Sequence, residues 1–255
     1  MADKDNPVTK VDLVNGFRGL GLGEGHHVGV HSSLSAFGYV EGGAETVVDA
    51  LLETVGASGT VVMPAYSNNR ENVEKTEEDV ALGVSWKYRV LRYDPQNDST
   101  WTGKITDVFW RRPDAARGPH ETHSLAAIGG KAEELSQSWH HLLEAEGWIL
   151  LLGITLSNCS SMHLSERGIE IPERILERTR APKELRERYH SENIHFGFGP
   201  YPDFGLMEKP CRDAGVMKWR QIGDATVKLF RLQELIKLYA EHLRKDPDRF
   251  YQGKR

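Results

Sequence analysis

The first half of the chain alternates short apolar runs with an amphipathic helical pattern. Residues 27–31 form an apolar run typical of a buried strand, and Gly42-Gly43 precede apolar residues at helical spacing that end at Gly56. The β-branched run at 60–63 then predicts a second strand. Because a helix joins the two strands, the pattern predicts a βαβ unit with parallel strands.

Regular periodicity disappears between residues 66 and 103, so this stretch is predicted to be a long irregular excursion, which indicates either a functional lid or elements that the pattern does not reveal. The pattern resumes beyond it and predicts a helix at 104–111, a strand at 124–128, a helix at 131–138, a buried strand at 147–153 and a last helix that ends before Asp246. These elements predict an α/β fold with a mixed, largely parallel central sheet flanked by helices, formed by residues 1–255 as a single domain.

The segment from 170 to 190 does not fit this alternation. It is dense in charge and is interrupted by Pro172 and Pro182, and we interpret it as solvated. The acidic residues of the long excursion are likewise interpreted as a solvated face, although in a lid they would attract a polycationic substrate. They are Glu71, Glu74, Glu77, Glu78 and Asp79.

Composition excludes several classes of protein. The 255 residues, 39% of them hydrophobic, can bury one large core, and 32 basic against 37 acidic residues give a net charge of −5. This balance gives no electrostatic reason to expect nucleic acid or a membrane surface as partner, and it favours a small cationic one. Two cysteines, and neither a signal core nor a membrane-spanning apolar run, indicate a cytoplasmic protein. The oligomeric state is left open.

His163 and Glu166 form the most informative pair in the sequence. They stand three residues apart after the apolar strand at 147–153, and on a helix that spacing places both side chains on one face. A carboxylate there can orient the imidazole as a general base, at the strand end where α/β sheets place ligands. The alternative is an ordinary amphipathic helix with a buried histidine and a solvated glutamate. Cys159, four residues earlier, allows a Cys–His nucleophilic pair, although free cysteines are more often inert.

Two further segments carry candidate chemistry. The serine-rich stretch from His31 to Ser35 follows the first strand, where backbone N–H groups can bind phosphate or carbonyl oxygens, or it is an ordinary turn. His120 and His123 precede the strand at 124–128. They would form a metal site only if a third ligand converged on them, so we interpret them as a loop that supports a neighbouring site and expect no metal.

Taken in order, these segments resemble the aminoglycoside 3-N-acetyltransferase family, the antibiotic N-acetyltransferases that are unrelated in fold to the GNAT enzymes. The resemblance covers most of the chain. It is carried by His31-Ser32-Ser33-Leu34 with Gly38, Gly42-Gly43, Gly59-Thr60-Val61-Val62-Met63-Pro64, Tyr93-Asp94-Pro95, Arg117, His120, Thr122-His123-Ser124, residues 147–153, Met162-His163-Leu164-Ser165-Glu166, Gly215, Gly223 and Asp246-Pro247.

The resemblance implies an enzyme of antibiotic resistance that transfers acetyl from acetyl-CoA, as cosubstrate, to the 3-amine of a 2-deoxystreptamine aminoglycoside. It implies His163 as general base and Glu166 as its partner. We predict direct transfer in a ternary complex, without an acyl-enzyme, because no strong nucleophile pairs with the base. The residues that the resemblance places near CoA are His31, Ser32, Ser33, Leu34, Ser35, Arg117 and Ser124. We expect the acceptor to meet Tyr66, His120, Glu121 and His123.

Two departures keep other readings open. Glu121 stands where the family commonly has proline, and Cys159-Ser160 replaces an asparagine–threonine pair before the base. Acetylation of another small amine is therefore an alternative. A Ser–His–Glu thioester hydrolase is a second alternative, although the sequence contains no Gly-x-Ser-x-Gly elbow. A non-catalytic CoA-binding or nucleotide-binding module is a third.

Overall fold

The computed structural model describes residues 6–66, 69–92, 94 and 102–252, and two β-sheets lie within these ranges. The strands are β1 (His27–Ser32), β2 (Thr60–Pro64), β3 (Arg70–Asn72), β4 (Lys87–Val90), β5 (Ala116–Arg117), β6 (Leu125–Gly129), β7 (Trp148–Leu152), β8 (Ile194–Phe196), β9 (Lys218–Ile222) and β10 (Ala225–Arg231).

The α-helices pack around these strands, and short 3₁₀ helices follow several strand ends. The α-helices are α1 (Lys10–Leu20), α2 (Gly43–Val55), α3 (Glu77–Leu82), α4 (Lys104–Trp110), α5 (Ala132–Leu135), α6 (Trp139–Glu144), α7 (Glu173–Thr179), α8 (Lys183–Ser191), α9 (Glu208–Asp213), α10 (Leu232–Lys245) and α11 (Pro247–Phe250). The 3₁₀ helices are Leu34–Phe37, Leu156–Asn158, Ser160–Glu166 and Phe204–Met207. No helix in the described ranges is long and apolar enough to cross a membrane.

Seven strands form the central sheet in the order β5-β6-β2-β1-β7-β10-β9. β1 lies between β2 and β7 and pairs in parallel with both, so that Val28 lies opposite Val61 and Trp148. The outer pairs are antiparallel. The βαβ unit and the mixed α/β fold are therefore confirmed. Parallel pairing occurs where a helix such as α2 crosses over, whereas a short turn joins β9 to β10.

The central sheet is covered by helices on both faces, because its strands are apolar on both sides. Leu150 and Leu152 of β7 belong to the apolar cluster formed with α1, α2 and α4. The alternate residues, Ile149 and Leu151, belong to the cluster on the other face, formed with α6 and α10. A strand buried on both faces appears in the sequence as a continuous apolar run, which is why residues 147–153 were predictable.

The segment without sequence periodicity, 66–103, contains regular structure, as one of its two interpretations allowed. In its described part β3, α3 and β4 form, and β8 joins β4 to complete a three-stranded antiparallel sheet, which we call the small sheet. The prediction missed these elements because strands of three or four residues are too short to establish a periodicity. Its third strand also comes from a part of the chain about 100 residues away.

A buried polar network connects the small sheet to its helices. Asp79 of α3 is fully buried and accepts hydrogen bonds from Lys87 Nζ of β4, at 2.7 Å, and from the Tyr189 hydroxyl of α8. Thr76 completes the cap of α3 by donating its backbone N–H to the same carboxylate. The prediction that these acidic residues form a solvated face is therefore wrong for Asp79, because its charge is compensated by a buried lysine.

Two other sequence predictions are corrected. The segment from 170 to 190 is largely exposed, as interpreted, but Pro172 and Pro182 do not interrupt regular structure there. Each stands immediately before a helix, α7 or α8, where the missing N–H of proline costs nothing. Both helices bury an apolar residue, Ile175 and Leu185. The helix predicted at 131–138 is only the single turn α5, and a separate helix, α6, follows it.

Candidate active site

The candidate site lies at the carboxyl ends of β1, β2 and β7, at one edge of the central sheet. These three strands are parallel and neighbouring, so the loops that follow them meet at the same edge. A cavity opens there. It is lined by His31, Ser32, Pro64, Tyr66, Thr102, Ile154 and Asn158.

His163 and Glu166 lie on the 3₁₀ helix that follows β7. Their spacing was expected to act on an α-helix, but in a 3₁₀ helix residues three apart are eclipsed, which aligns the pair more closely. His163 Nδ1 lies 3.1 Å from Glu166 Oε2. The histidine side chain is 55% exposed and that of Glu166 is 25% exposed. The imidazole can therefore contact a bound solute, while the Glu166 carboxylate fixes its orientation through Nδ1.

Burial, a hydrogen bond and a ring contact fix the position of this 3₁₀ helix. Met162 is fully buried, and its N–H bonds to the carbonyl of Cys159 at 3.0 Å. The His163 ring packs edge-on against Phe204, with ring centroids 4.8 Å apart. One side of the imidazole is thus held by an aromatic ring and one nitrogen by a carboxylate.

Cys159 is not placed to act as a nucleophile. Its side chain is fully buried, and burial raises the pKa of its thiol to about 11. A thiol that remains protonated is a poor nucleophile, so the Cys–His pair is disfavoured. The other cysteine, Cys211, is also buried, and burial raises its pKa to about 12.

The serine-rich loop after β1 folds into the 3₁₀ helix Leu34–Phe37 and lies against the end of β7. Gly153 has φ of 67°, and a Cβ on it would come within 2.2 Å of the Ala36 Cβ, so glycine is required for this close approach. The N–H of Ser33 donates to the Leu152 carbonyl at 2.9 Å. That N–H is therefore engaged in the fold and is not the ligand donor that the sequence suggested.

His31 belongs to β1 itself and not to the loop. It is only 4% exposed, and its ring stacks on Trp139 with centroids 5.4 Å apart. Burial lowers the pKa of His31 to about 4, so the imidazole is neutral at neutral pH. His31 lines the floor of the cavity.

Arg117 and Ser124 converge on one backbone atom, the carbonyl oxygen of Ala65. Arg117 Nη2 donates to it at 2.9 Å and the Ser124 hydroxyl at 2.7 Å. The guanidinium also lies over the ring of Trp110, 4.4 Å from its centroid. The two side chains therefore fix the turn that presents Tyr66 to the cavity.

Tyr66 joins the cavity to the histidines. It lines the cavity, its ring packs edge-on against His123 at 4.9 Å, and its hydroxyl lies close to that of Ser160, where the helix of His163 begins. Burial raises the pKa of Tyr66, which keeps its hydroxyl a hydrogen-bond donor.

His120 and His123 support each other within their loop, as predicted. His120 Nδ1 accepts the N–H groups of Thr122 and His123, at 3.2 and 3.0 Å, and His123 Nδ1 lies 2.7 Å from the Thr122 hydroxyl. Within the described ranges, these histidines do not gather with a third metal-binding side chain. Glu121 between them is exposed.

The small sheet supplies residues that the sequence did not indicate. His195 of β8 lies directly opposite Tyr88 of β4, with ring centroids 5.7 Å apart, and the Arg70 guanidinium lies over the same Tyr88 ring at 5.1 Å. Burial lowers the pKa of His123, and the positive charges of His120, His195, His163 and Arg70 lower it further. The small sheet therefore lies opposite the His120–His123 loop. We call the region between Tyr66, this loop and the small sheet the mouth of the site. Only an alternating Lys-Tyr-Arg-Val run hinted at β4.

The chain resembles known proteins along most of its length. Residues 30–244 match the family model described as aminoglycoside 3-N-acetyltransferase. The chain is 28% identical over 260 residues to aminoglycoside N(3)-acetyltransferase VII of Streptomyces paromomycinus, with 91% of this chain and 90% of the relative covered.

Solved structures share the fold. The YokD protein from Bacillus subtilis superimposes with a TM-score of 0.74 at 24% identity, covering 95% of this chain and 96% of that one. The AAC-IIIb binary complex with CoASH gives a TM-score of 0.73 at 21% identity, covering 98% of this chain and 100% of that one.

Proposed function

The chain belongs to the aminoglycoside 3-N-acetyltransferase family, and on that premise we propose that it transfers the acetyl group of acetyl-CoA to the 3-amine of a 2-deoxystreptamine aminoglycoside. One observation carries the proposal: a half-exposed imidazole is held by a carboxylate at 3.1 Å on a 3₁₀ helix whose first residue, Ser160, lies close to the hydroxyl of Tyr66 in the cavity lining. Such a pair can remove a proton from an attacking amine.

The chemical step requires a neutral amine, because an alkylammonium has no lone pair. The amine nitrogen attacks the thioester carbonyl carbon while His163 Nε2 accepts a proton from it. Glu166, on Nδ1, stabilises the imidazolium that forms. Tyr66 and Asn158 line the cavity and carry donors for the developing oxyanion. The carbon–sulfur bond then breaks to release the CoA thiolate, and the proton held on His163 Nε2 passes to that sulfur, which restores the neutral imidazole.

We propose direct transfer without an acyl-enzyme. The nearest thiol, Cys159, is buried and its pKa is raised to about 11, so it does not offer a thiolate. Intact-mass measurement after mixing with acetyl-CoA is expected to show no added acetyl group. A covalent adduct that forms and decays as fast as turnover would overturn this step.

We assign CoA to the loop after β1. The AAC-IIIb structure of the same fold holds CoASH, and here Ser32 lines the cavity while Ser33 and Ser35 lie with their hydroxyls 3.2 Å apart. Small hydroxyl residues and the backbone of Leu34 suit the pantetheine and pyrophosphate oxygens. His31, Arg117 and Ser124 contribute to this site by shaping its floor and the Ala65–Tyr66 turn.

The acceptor is assigned to the mouth between Tyr66, the His120–His123 loop and the small sheet. A neutral imidazole accepts hydrogen bonds from ammonium and hydroxyl groups without repelling them, and the lowered pKa of His123 keeps it neutral. Exposed Glu121 adds a negative charge to the same loop. Both features suit a polycationic acceptor with many hydroxyls.

One observation favours a second acceptor class, a small amine of lower charge. Arg70 is a permanent cation among the groups that act on His123, and it opposes a polycation. The two classes differ in how they respond to Arg70→Gln. Binding of a polycationic acceptor is expected to tighten in this variant, whereas binding of a small monoamine is expected to change much less.

The deciding experiment measures thiol release from acetyl-CoA with a panel of aminoglycosides and simple amines, followed by NMR of the product to identify the acetylated nitrogen. Release with an aminoglycoside and acetylation at its 3-amine is the expected result. Release with simple amines alone would support the second acceptor class, a small amine of lower charge. Rapid release without any amine would identify a hydrolase, and no release with any amine would refute transfer altogether.

A further inference from the structure

The second oxygen of the Glu166 carboxylate is buried. Oε2 faces His163 Nδ1 at 3.1 Å, whereas Oε1 is shielded from solvent and has no hydrogen-bond partner among the described residues. A carboxylate accepts hydrogen bonds on both oxygens, and a buried one without donors is unfavourable. The environment of Oε1 therefore matters for how Glu166 holds the imidazole.

Two buried tyrosine hydroxyls lie within the electrostatic reach of this carboxylate. Tyr239 of α10 is fully buried, and its hydroxyl has no partner in the described part of the chain. Tyr251, just after α11, is 8% exposed. Burial raises the pKa of both tyrosines, and the negative charge of Glu166 raises it further. Both hydroxyls thus remain protonated and able to donate.

Aromatic packing connects Tyr239 to the base as well. The His163 ring meets Phe204 with ring centroids 4.8 Å apart, and Phe204 also meets the Tyr239 ring, at 5.4 Å. Phe250 packs against Tyr239 from α11 at 5.0 Å. The Tyr239 ring is thus fixed between two phenylalanines, and its hydroxyl has little freedom to turn elsewhere.

We propose that Tyr239, with Tyr251 beside it, is a positioning residue whose hydroxyl donates a hydrogen bond to Glu166 Oε1 in the reacting complex, directly or through one water molecule. This bond fixes the carboxylate so that Oε2 remains on His163 Nδ1 while the imidazole becomes charged. The inference rests on the proposed function, because it assigns Tyr239 a role in the same proton transfer.

The test is Tyr239→Phe, which removes one oxygen atom and keeps the ring. Turnover (kcat) is expected to fall about tenfold, the order of magnitude that corresponds to the loss of one hydrogen bond to a charged group. The KM for acetyl-CoA is expected to stay the same, and the melting temperature to stay the same or rise, because an unpartnered buried hydroxyl is removed. Tyr251→Phe is expected to act in the same direction with a smaller effect.

Phe230→Leu is the matched control, because Phe230 is a buried ring of the same apolar cluster, carries no hydroxyl and pairs with Ile149 near the start of β7, away from the site. It is expected to lower the melting temperature and to leave kcat unchanged. If Phe230→Leu lowers kcat as much as Tyr239→Phe, the effect is structural and the inference is wrong. The inference is equally wrong if Tyr239→Phe leaves kcat unchanged.

A double variant distinguishes action through Glu166 from an independent effect. In a Glu166→Gln background, Tyr239→Phe is expected to have no further effect on kcat, whereas an independent role would multiply the two losses.

If the wild-type protein releases no thiol with any amine, the proposed function fails but the inference can still be judged. ¹⁵N NMR of His163 is then expected to show a changed Nδ1 signal in Tyr239→Phe, and an unchanged signal overturns the inference.

Discussion

The two sheets of the molecule are stabilised by different forces. The central sheet is apolar on both faces, and residues such as Leu150 and Leu151 are fully buried against helices. The small sheet has a lesser apolar cluster, around Leu185 and Ile194, and a fully buried carboxylate, Asp79, paired with Lys87. A large apolar core tolerates small local losses, whereas a buried ion pair fails when either partner is lost.

This difference matches the roles that we assign to the two regions. In the proposed function, the central sheet presents His163 as the base and the cavity assigned to CoA, whose positions must remain fixed for chemistry. The small sheet faces the mouth of the site with Tyr88, His195 and Arg70. The comparison therefore predicts that damage to the central site stops the chemical step, and that damage to the small sheet weakens acceptor binding.

The largest expected effect comes from His163→Ala at the end of the central sheet. Loss of the general base is expected to lower kcat by ~10²–10⁴-fold while CoA affinity, measured by calorimetry, is retained. The matched control is His123→Ala across the mouth, which is expected to raise the KM for the acceptor more than it lowers kcat. Equal effects of both variants on kcat would contradict the assignment of chemistry to the central sheet and of acceptor binding to the mouth.

The next largest effect is expected from Asp79→Asn in the small sheet. It leaves the Lys87 charge buried without its partner, and breaking a buried pair costs about 3–5 kcal/mol. Hydrogen exchange is expected to accelerate in β3, β4, α8 and β8 while β1 and β7 stay protected. The KM for the acceptor is expected to rise and the KM for acetyl-CoA to remain unchanged.

Glu71→Gln is the control for this variant. It breaks the Arg89–Glu71 ion pair of the same sheet, whose side chains are 46% and 58% exposed. An exposed pair contributes little, so no measurable change in hydrogen exchange is expected. Uniform acceleration across both sheets in Asp79→Asn would show that the two regions unfold as one unit.

Acidification is expected to weaken the two regions in different pH ranges. The pKa of His31 is lowered from 6.5 to about 4 in the folded protein, so the unfolded chain binds the proton first. The free energy of unfolding should therefore fall by about 3 kcal/mol as pH drops through that interval. Urea unfolding at several pH values measures this, and His31→Phe, which keeps a ring on Trp139, is expected to remove that dependence.

Asp79 responds at lower pH. Burial alone would raise its pKa, but hydrogen bonds from Lys87, Tyr189 and Thr76 outweigh burial and hold the pKa well below its ordinary value. Its stabilising contribution is present above the ordinary carboxyl range and is lost only as pH falls through the lowered value. If hydrogen exchange in the small sheet accelerated before that in the central sheet on acidification, this order would be refuted.

The smallest expected effect concerns acceptor binding and pH. As pH falls below the ordinary histidine range, protonation of His123 adds a charge at the mouth, and one such charge costs a nearby cation about 1 kcal/mol in water, roughly fivefold in affinity. Aminoglycoside binding to His163→Ala, which removes the chemical step and the titration of the base, is expected to weaken accordingly. His123→Gln should reduce this dependence, and a simple monoamine should show less of it.

The sequence predicted the central part of the fold well. Residues 147–153 and 60–63 were predictable as strands because strands buried on both faces leave continuous apolar runs, and α10 because its apolar residues recur at helical spacing. The family and the His163–Glu166 pair also followed from ordered short segments. Tyr93 and Pro95, which contribute to the resemblance, lie outside the described residues. That the whole chain forms a single domain stays a prediction.

Tertiary structure decided what local patterns do not encode. Asp79 and Tyr189 meet although 110 positions separate them, and the charge of Glu166 acts on two tyrosines, Tyr239 and Tyr251, from the end of the chain. Nothing in a window of ten or twenty residues distinguishes a buried carboxylate from a solvated one, because its partner comes from a distant element.

The sequence by itself thus determined which segments are apolar on both faces and which residues can perform acid–base chemistry, since periodicity and side-chain type are local properties. Only the fold determined which charges are buried, which hydroxyls face Glu166 and which sheet closes the mouth of the site, since those depend on distances between elements far apart in the chain.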